Sequence, residues 1–197
     1  MTIAGLILAG GRSTRMGGTD KAFVRLGEKS LIENAIERLR PQVDMIAVNS
    51  SAPAAANFGL PVVSDATDTY EGPLAGILAG LDWAEREGAT RLATVAVDTP
   101  FFPLDLVARL SLVDETRIAV ARSHERHHPV FALWPVAVHQ PLQAFLERGE
   151  TRKVMAFVES FGFEAVDFEN TAIDPFFNVN TANDLARAKA HLAGAKS

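Results

Sequence analysis

The stretch Ile3-Ala-Gly-Leu-Ile-Leu-Ala-Gly-Gly11 decides the fold. It is short, almost wholly apolar, and stops at a glycine pair. Polar residues do not alternate through it, so neither face is meant for water. That is the pattern of a strand buried on both sides, as in a parallel sheet, followed by a loop. Similar short apolar runs recur at 45–48, 60–63, 91–97 and 117–121, and further strands are predicted over 128–134 and 163–168. Helical patterns lie between them. Ser30-Leu-Ile-Glu33 is a capping box that opens a helix to about residue 40, just before Pro41. Residues 73–86 read as a helix stopped by Gly88, and 103–110, 137–147 and 152–161 as further helices. Residues 171–175 read as a turn, and Thr181-Ala-Asn-Asp184 opens a last helix to about residue 192. Strands alternating with helices predict an α/β fold: a Rossmann-like three-layer α/β/α sandwich around a mostly parallel sheet.

Such sheets bind ligands at the carboxyl ends of their strands. Asn49, Asp65 and Asp98 each follow an apolar strand, and the glycine loop follows the first one. Four strand ends therefore predict one shared crevice. The 197 residues suit a single domain.

Composition excludes several classes of function. Hydrophobic residues make up 48% of the chain, which is a normal globular share and not that of a disordered one. There is no cysteine, hence no disulfide scaffold, thiolate metal site or cysteine nucleophile. No apolar run approaches the roughly 18 residues that span a bilayer. The N-terminus has no basic region ahead of its apolar run. The expected location is the cytoplasm, with no membrane partner. A formal charge of −5 argues against nucleic acid as a partner. Within residues 1–25, however, Arg12, Arg15, Lys21 and Arg25 face one acid, Asp20. A local cationic cluster beside glycines, on an otherwise acidic chain, suits one small anionic ligand.

That cluster sits in Leu8-Ala-Gly-Gly-Arg-Ser-Thr-Arg-Met-Gly-Gly-Thr-Asp-Lys21. Glycines let backbone N–H groups converge on phosphate oxygens. Arg15 adds a planar fork of donors and Lys21 a compact ammonium. The stretch is neither a Walker loop nor a Gly-x-Gly-x-x-Gly dinucleotide fingerprint, which demotes GTPase, ATPase and dehydrogenase readings. It closely resembles the signature loop of the nucleotidyltransferases, and most of all that of the molybdenum cofactor guanylyltransferase family. The resemblance continues, in order, through Gly72-Pro-Leu-Ala-Gly76, Asp98-Thr-Pro100, His128-Pro129 and Phe177-Asn-Val-Asn-Thr181. It covers nearly the whole chain.

The resemblance implies a nucleotide-diphospho-sugar transferase-like fold, with 1–110 mainly its nucleotide-binding half and 111–197 mainly its acceptor half, and transfer of GMP from GTP to molybdopterin, with release of pyrophosphate. Leu8, Ala9, Gly10 and Gly11 would hold the nucleotide through their backbone. Lys21, Arg15 and Asp98 would be catalytic, and Asp98 would hold Mg²⁺. Asn49, Asp65 and Gly76 would contact the nucleotide, while Asn178 and Asn180 would position metal or acceptor. Acceptor molybdoenzymes or their chaperones would be further partners, and a monomer is expected. A cytidylyltransferase or a sugar-phosphate nucleotidyltransferase is the rival within the class, and a non-catalytic nucleotide-binding module the rival outside it.

Each residue also has a plainer reading. Alone, Asp98 suits the N-cap of a helix near residue 103, and Asn49 and Asp65 suit turns. Gly72, Gly76 and Gly80 suit close helix–sheet packing. His124, His127 and His128 invite a zinc reading, which the strand-and-loop pattern around them disfavours. Arg126 and His128 would instead face the phosphate of the acceptor.

Overall fold

The computed structural model describes residues 1–10, 21–65, 72–149, 151–169 and 173–194. The opening run forms β1 (Ile3–Leu8), whose last five residues are buried. A 3-10 turn at Lys21–Phe23 leads into a two-stranded hairpin, β2 (Arg25–Leu26) and β3 (Lys29–Ser30). Next comes α1 (Leu31–Leu39), and its capping box forms as the sequence predicts. The Ser30 N–H donates to Glu33 at 2.6 Å, and the Glu33 N–H to Ser30 Oγ at 3.4 Å. Strands β4 (Met45–Asn49) and β5 (Val62–Val63) follow, then α2 (Pro73–Arg86), β6 (Arg91–Ala96) and α3 (Leu106–Leu110). The second part holds β7 (Ile118–Ser123), β8 (Arg126–Pro135), α4 (His139–Arg148), α5 (Val154–Phe161), β9 (Phe163–Asp167) and α6 (Ala182–Gly194).

Seven strands form one sheet in the order β5-β4-β1-β6-β8-β7-β9. All pairings are parallel except the two made by β8, which is antiparallel to both β6 and β7. The sequence predicts the strand but not its direction. Direction comes from the two-residue turn at His124 and Glu125, both at positive φ (47° and 60°). That turn closes β7 and β8 into a hairpin and forces them antiparallel. The register slips between Val120 and Ala121, where β8 carries Pro129. Proline cannot donate to a ladder, so a bulge is where a strand accommodates it.

The two faces of the sheet carry separate cores. Ile7, Val48 and Val95 point to the side covered by α1, α3 and α6. Leu6, Leu8 and Ala47 point to the side covered by α2, α4 and α5. This alternation along strands buried on both faces makes three layers. Among the described residues, no helix is long and apolar enough to cross a membrane.

Candidate functional site

Leu8 lies opposite Asn49 on one side and Ala96 on the other, and Asn49 lies opposite Val63. The carboxyl ends of four parallel strands are therefore level. The strand order also reverses at β1, since the chain runs outward through β4 and β5 and returns to add β6 on the other side. A crevice opens at such a switch point. Here it is a cleft of about 410 Å³. Leu8, Ala9, Gly10, Lys21, Asn49, Asp65, Asp98, Asn178 and Asn180 all line it, as the sequence predicts. Gly72, Pro73 and Val130, which the sequence reading left without a place there, line it too.

At one end the side chains form a polar knot. Lys21 is buried, 7% exposed, with its ammonium 2.7 Å from Asp98 Oδ2 and 2.5 Å from Asn180 Oδ1. The Thr99 hydroxyl donates to Asn178 Oδ1 at 2.5 Å and stands 3.3 Å from Asp98 Oδ1. The Val179 N–H donates to the Asp98 carbonyl at 2.8 Å, which lays the Asn178–Asn180 segment along the end of β6. A buried ammonium is tolerated only with partners, and these satisfy two of its three protons. Asp98 is not a helix cap: α3 begins eight residues later and its cap position is Asp105. The carboxylate and the two carboxamide oxygens make a set of hard oxygen donors. Among the described residues no group of three or more His, Asp or Glu could cage a metal. Such a set suits Mg²⁺, which takes one or two carboxylates and completes its shell with phosphate oxygens and water.

At the other end, Asn49 is buried, and its amide donates to the Val63 carbonyl at 3.0 Å and to Asp65 Oδ1 at 2.8 Å. Gly76 does not line the cleft but lies under Asn49. A Cβ there would meet Asn49 Oδ1 at 2.3 Å and Leu8 Cδ2 at 2.8 Å. The structure thus gives Gly76 the close-packing role that its plainer reading allows. The N-terminus of α2 also faces the cleft. Gly72 caps it at φ +93°, a conformation reserved for glycine, and among the described residues no side chain bonds the cap. Pro73 has no N–H and the Ala75 N–H donates to the Gly72 carbonyl at 3.2 Å, so the helix dipole is what this end offers an anion.

Gly11 and Arg15 lie outside the described residues. The three histidines diverge: His124 turns the hairpin, His127 meets Phe163 edge-on at 5.2 Å, and His128 stacks on Phe176 at 4.3 Å. Burial pushes the His128 pKa down to about 4, with Asp174 opposing the shift and Arg126, His127 and His124 adding to it. Burial thus favours the uncharged form of the ring. Thr99 also escaped notice as a functional residue. Its position inside Asp98-Thr-Pro100 was the available signal, but only the fold shows that it reaches Asn178.

Transfer of a nucleotidyl group from a nucleoside triphosphate to a phosphate acceptor asks little covalent chemistry of a protein. It needs donors and cations to spread over phosphates and a hard ligand for a divalent ion. The molecule is of that class, an α/β nucleotidyltransferase. The model of the MobA-like NTP transferase domain matches residues 5–163, and the chain belongs to that family. It is 44% identical over 195 residues, 94% of each chain, to a molybdenum cofactor guanylyltransferase of Mesorhizobium japonicum. It is 47% identical over 194 residues, 98% of each chain, to a protein of the same name from Cereibacter sphaeroides. Among solved structures, molybdopterin-guanine dinucleotide biosynthesis protein A of Archaeoglobus fulgidus superposes with a TM-score of 0.76. That likeness covers 97% of this chain and 99% of the other at 22% identity, and it is one of fold.

Proposed function

We propose that the protein transfers GMP from GTP to molybdopterin, forming the guanine dinucleotide form of the molybdenum cofactor and releasing pyrophosphate. The observation that carries this reading is the meeting of Lys21 with Asp98 and Asn180, 77 and 159 residues away in the chain, inside the switch-point cleft. The names of the curated relatives support the choice of guanine and of the pterin acceptor.

The reaction forms a bond from a phosphate oxygen of the acceptor to the α-phosphorus of GTP. It breaks the bond to the bridging oxygen, and pyrophosphate leaves with that electron pair. The attacking group is already an anion, so no strong base is required. The barrier is charge crowding at the α-phosphate. Lys21 would turn its ammonium to those oxygens, while the Gly10 N–H and the helix dipole at the start of α2 hold the remaining phosphates. Asn49 and Asp65 hold the far end of the cleft, where the base belongs. Asp98 would hold Mg²⁺, whose chemistry when bound is to offset phosphate charge, and Asn178 and Asn180 would orient that end of the site.

The test is pyrophosphate release with molybdopterin and Mg²⁺, comparing GTP with CTP, ATP and UTP. Release with GTP alone is expected. Release mainly with CTP would replace the product and keep the site. Silence with all four, despite tight GTP binding, would favour a binding module. Asp98→Asn is expected to abolish turnover with the fold intact, and normal release by it would remove Asp98 from the chemistry. Lys21→Ala is expected to lower kcat by about 10²–10³-fold, the usual cost of losing one charge-stabilising donor. Unchanged kinetics would make Lys21 a mere buried cation.

A further inference from the structure

One polar cluster outside the cleft has no part in the chemistry above. Ser123, at the carboxyl end of β7, is 2% exposed. Its Oγ lies 2.8 Å from His128 Nε2 and 3.2 Å from Asp174 Oδ1. A serine hydroxyl has one proton to give, and a carboxylate can only accept. The Ser123 proton therefore goes to Asp174, which also accepts the Phe176 N–H at 2.9 Å. Ser123 Oγ must then accept from His128, so the ring carries its proton on Nε2. The geometry of three residues fixes the tautomer of the histidine.

The same ring lies flat against Phe176, at 4.3 Å and 22° between planes. The β7–β8 hairpin thus grips the chain at both 174 and 176. Two and four residues beyond Phe176 are Asn178 and Asn180, the carboxamides that meet Thr99 and Lys21 in the cleft. Beyond them Asp184 pins the segment again, accepting the N–H groups of Asn180 at 3.1 Å and Thr181 at 2.9 Å. A strap is held at its two ends, and its middle carries two functional amides. Its first anchor is a directional hydrogen-bond network, whereas its second is an ordinary helix cap.

We propose that Ser123, His128 and Asp174 are positioning residues that set where Asn178 and Asn180 stand against Asp98 and Lys21. The proposal deepens the function above and rests on it. Bond-making at phosphorus is sensitive to placement, and a misplacement of about 1 Å can cost about 10²-fold in rate. The cluster belongs to the acceptor half of the chain, so it couples that half to the metal-binding end of the cleft.

Three variants of the full chain test it: Ser123→Ala, which removes both hydrogen bonds; His128→Phe, which keeps the stacked ring but loses the N–H; and His128→Gln, which restores a donor. Two readouts are followed. The first is the side-chain amide ¹H–¹⁵N resonances of Asn178 and Asn180 in the protein alone. The second is kcat and KM for GTP in pyrophosphate release. The expected result is that both pairs of resonances move in Ser123→Ala and His128→Phe and return towards wild type in His128→Gln. The expected fall in kcat is about tenfold or more, with KM for GTP changed by less than about twofold. Unmoved amide resonances in a folded His128→Phe overturn the proposal, even if Ser123→Ala fails to fold. So does a lowered thermal midpoint with unchanged kcat, which is what a merely structural cluster would give. If the wild-type protein transfers no nucleotide, the functional reading fails while the resonances still decide the positioning.

Discussion

Replacing Gly76 by alanine would put a methyl group where the Asn49 carboxamide stands. The added Cβ would lie 2.3 Å from Asn49 Oδ1, 2.8 Å from its Cγ and 2.8 Å from Leu8 Cδ2. Asn49 cannot simply swing aside, because it is buried and holds the Val63 carbonyl and Asp65. Overpacking of this kind costs about 1–3 kcal/mol. Disturbing two hydrogen bonds adds about 0.5–1.5 kcal/mol each, while alanine returns about 1 kcal/mol of helix propensity. The net loss is about 1–5 kcal/mol, and for a chain of this size each kcal/mol lowers the midpoint by about 2–4 °C. Gly80, one turn later on α2, supplies the control. Its Cβ would meet Leu6 Cδ2 at 2.4 Å, on a flexible side-chain tip in the core beneath the same helix. Both variants should lose stability in thermal and urea unfolding. Only Gly76→Ala should weaken GTP binding by calorimetry, by about tenfold or more, since 1.4 kcal/mol is a factor of ten in affinity. Equal GTP affinity in Gly76→Ala and Gly80→Ala would refute the claim that Gly76 exists to make room for Asn49.

Two further outcomes follow from the hairpin. The folded-state pKa of His128 lies near 4, below its ordinary value of 6.5, so the unfolded chain binds more protons between those values. Stability is therefore full above about pH 6.5 and falls as the pH drops towards 4, by an amount on the order of 2–3 kcal/mol from this residue. Urea unfolding of the wild type and of His128→Phe across that window should diverge in this sense, and parallel curves would show that His128 is not buried neutral. Glu125 turns the β7–β8 hairpin at φ +60°, where glycine is at ease and a residue with a Cβ is not. Glu125→Gly should gain about 0.5–1 kcal/mol, or about 1–4 °C in midpoint. A lower midpoint would mean that the Glu125 side chain contributes more than its backbone costs.

Local rules in the sequence determined a large part of this protein. Runs with no polar alternation marked strands buried on both faces, because a parallel sheet is covered by helices on both sides. Ser30 and Glu33, and again Thr181 and Asp184, marked helix starts, because their side chains satisfy N–H groups that a helix leaves open. Asn49, Asp65 and Asp98 could be gathered into one site before any coordinates, since strand ends of a parallel sheet share an edge. Their function was legible because a long, ordered set of motifs surrounds them.

Tertiary structure decided what depends on partners distant in the chain. β8 runs against its neighbours because a two-residue turn leaves no room for a crossover, and hydrophobic pattern carries no sign of direction. The packing at Gly76 is visible only in the fold, because the crossing of α2 over β1 and β4 shows which atoms its missing Cβ would meet. His128 favours its uncharged form because it is buried, and it meets Ser123, and both follow from contacts that a lone sequence does not display. Asn178 and Asn180 reach Thr99 and Lys21 across 79 and 159 residues. Sequence chose the groups, and the closing of the chain over those distances chose which of them touch.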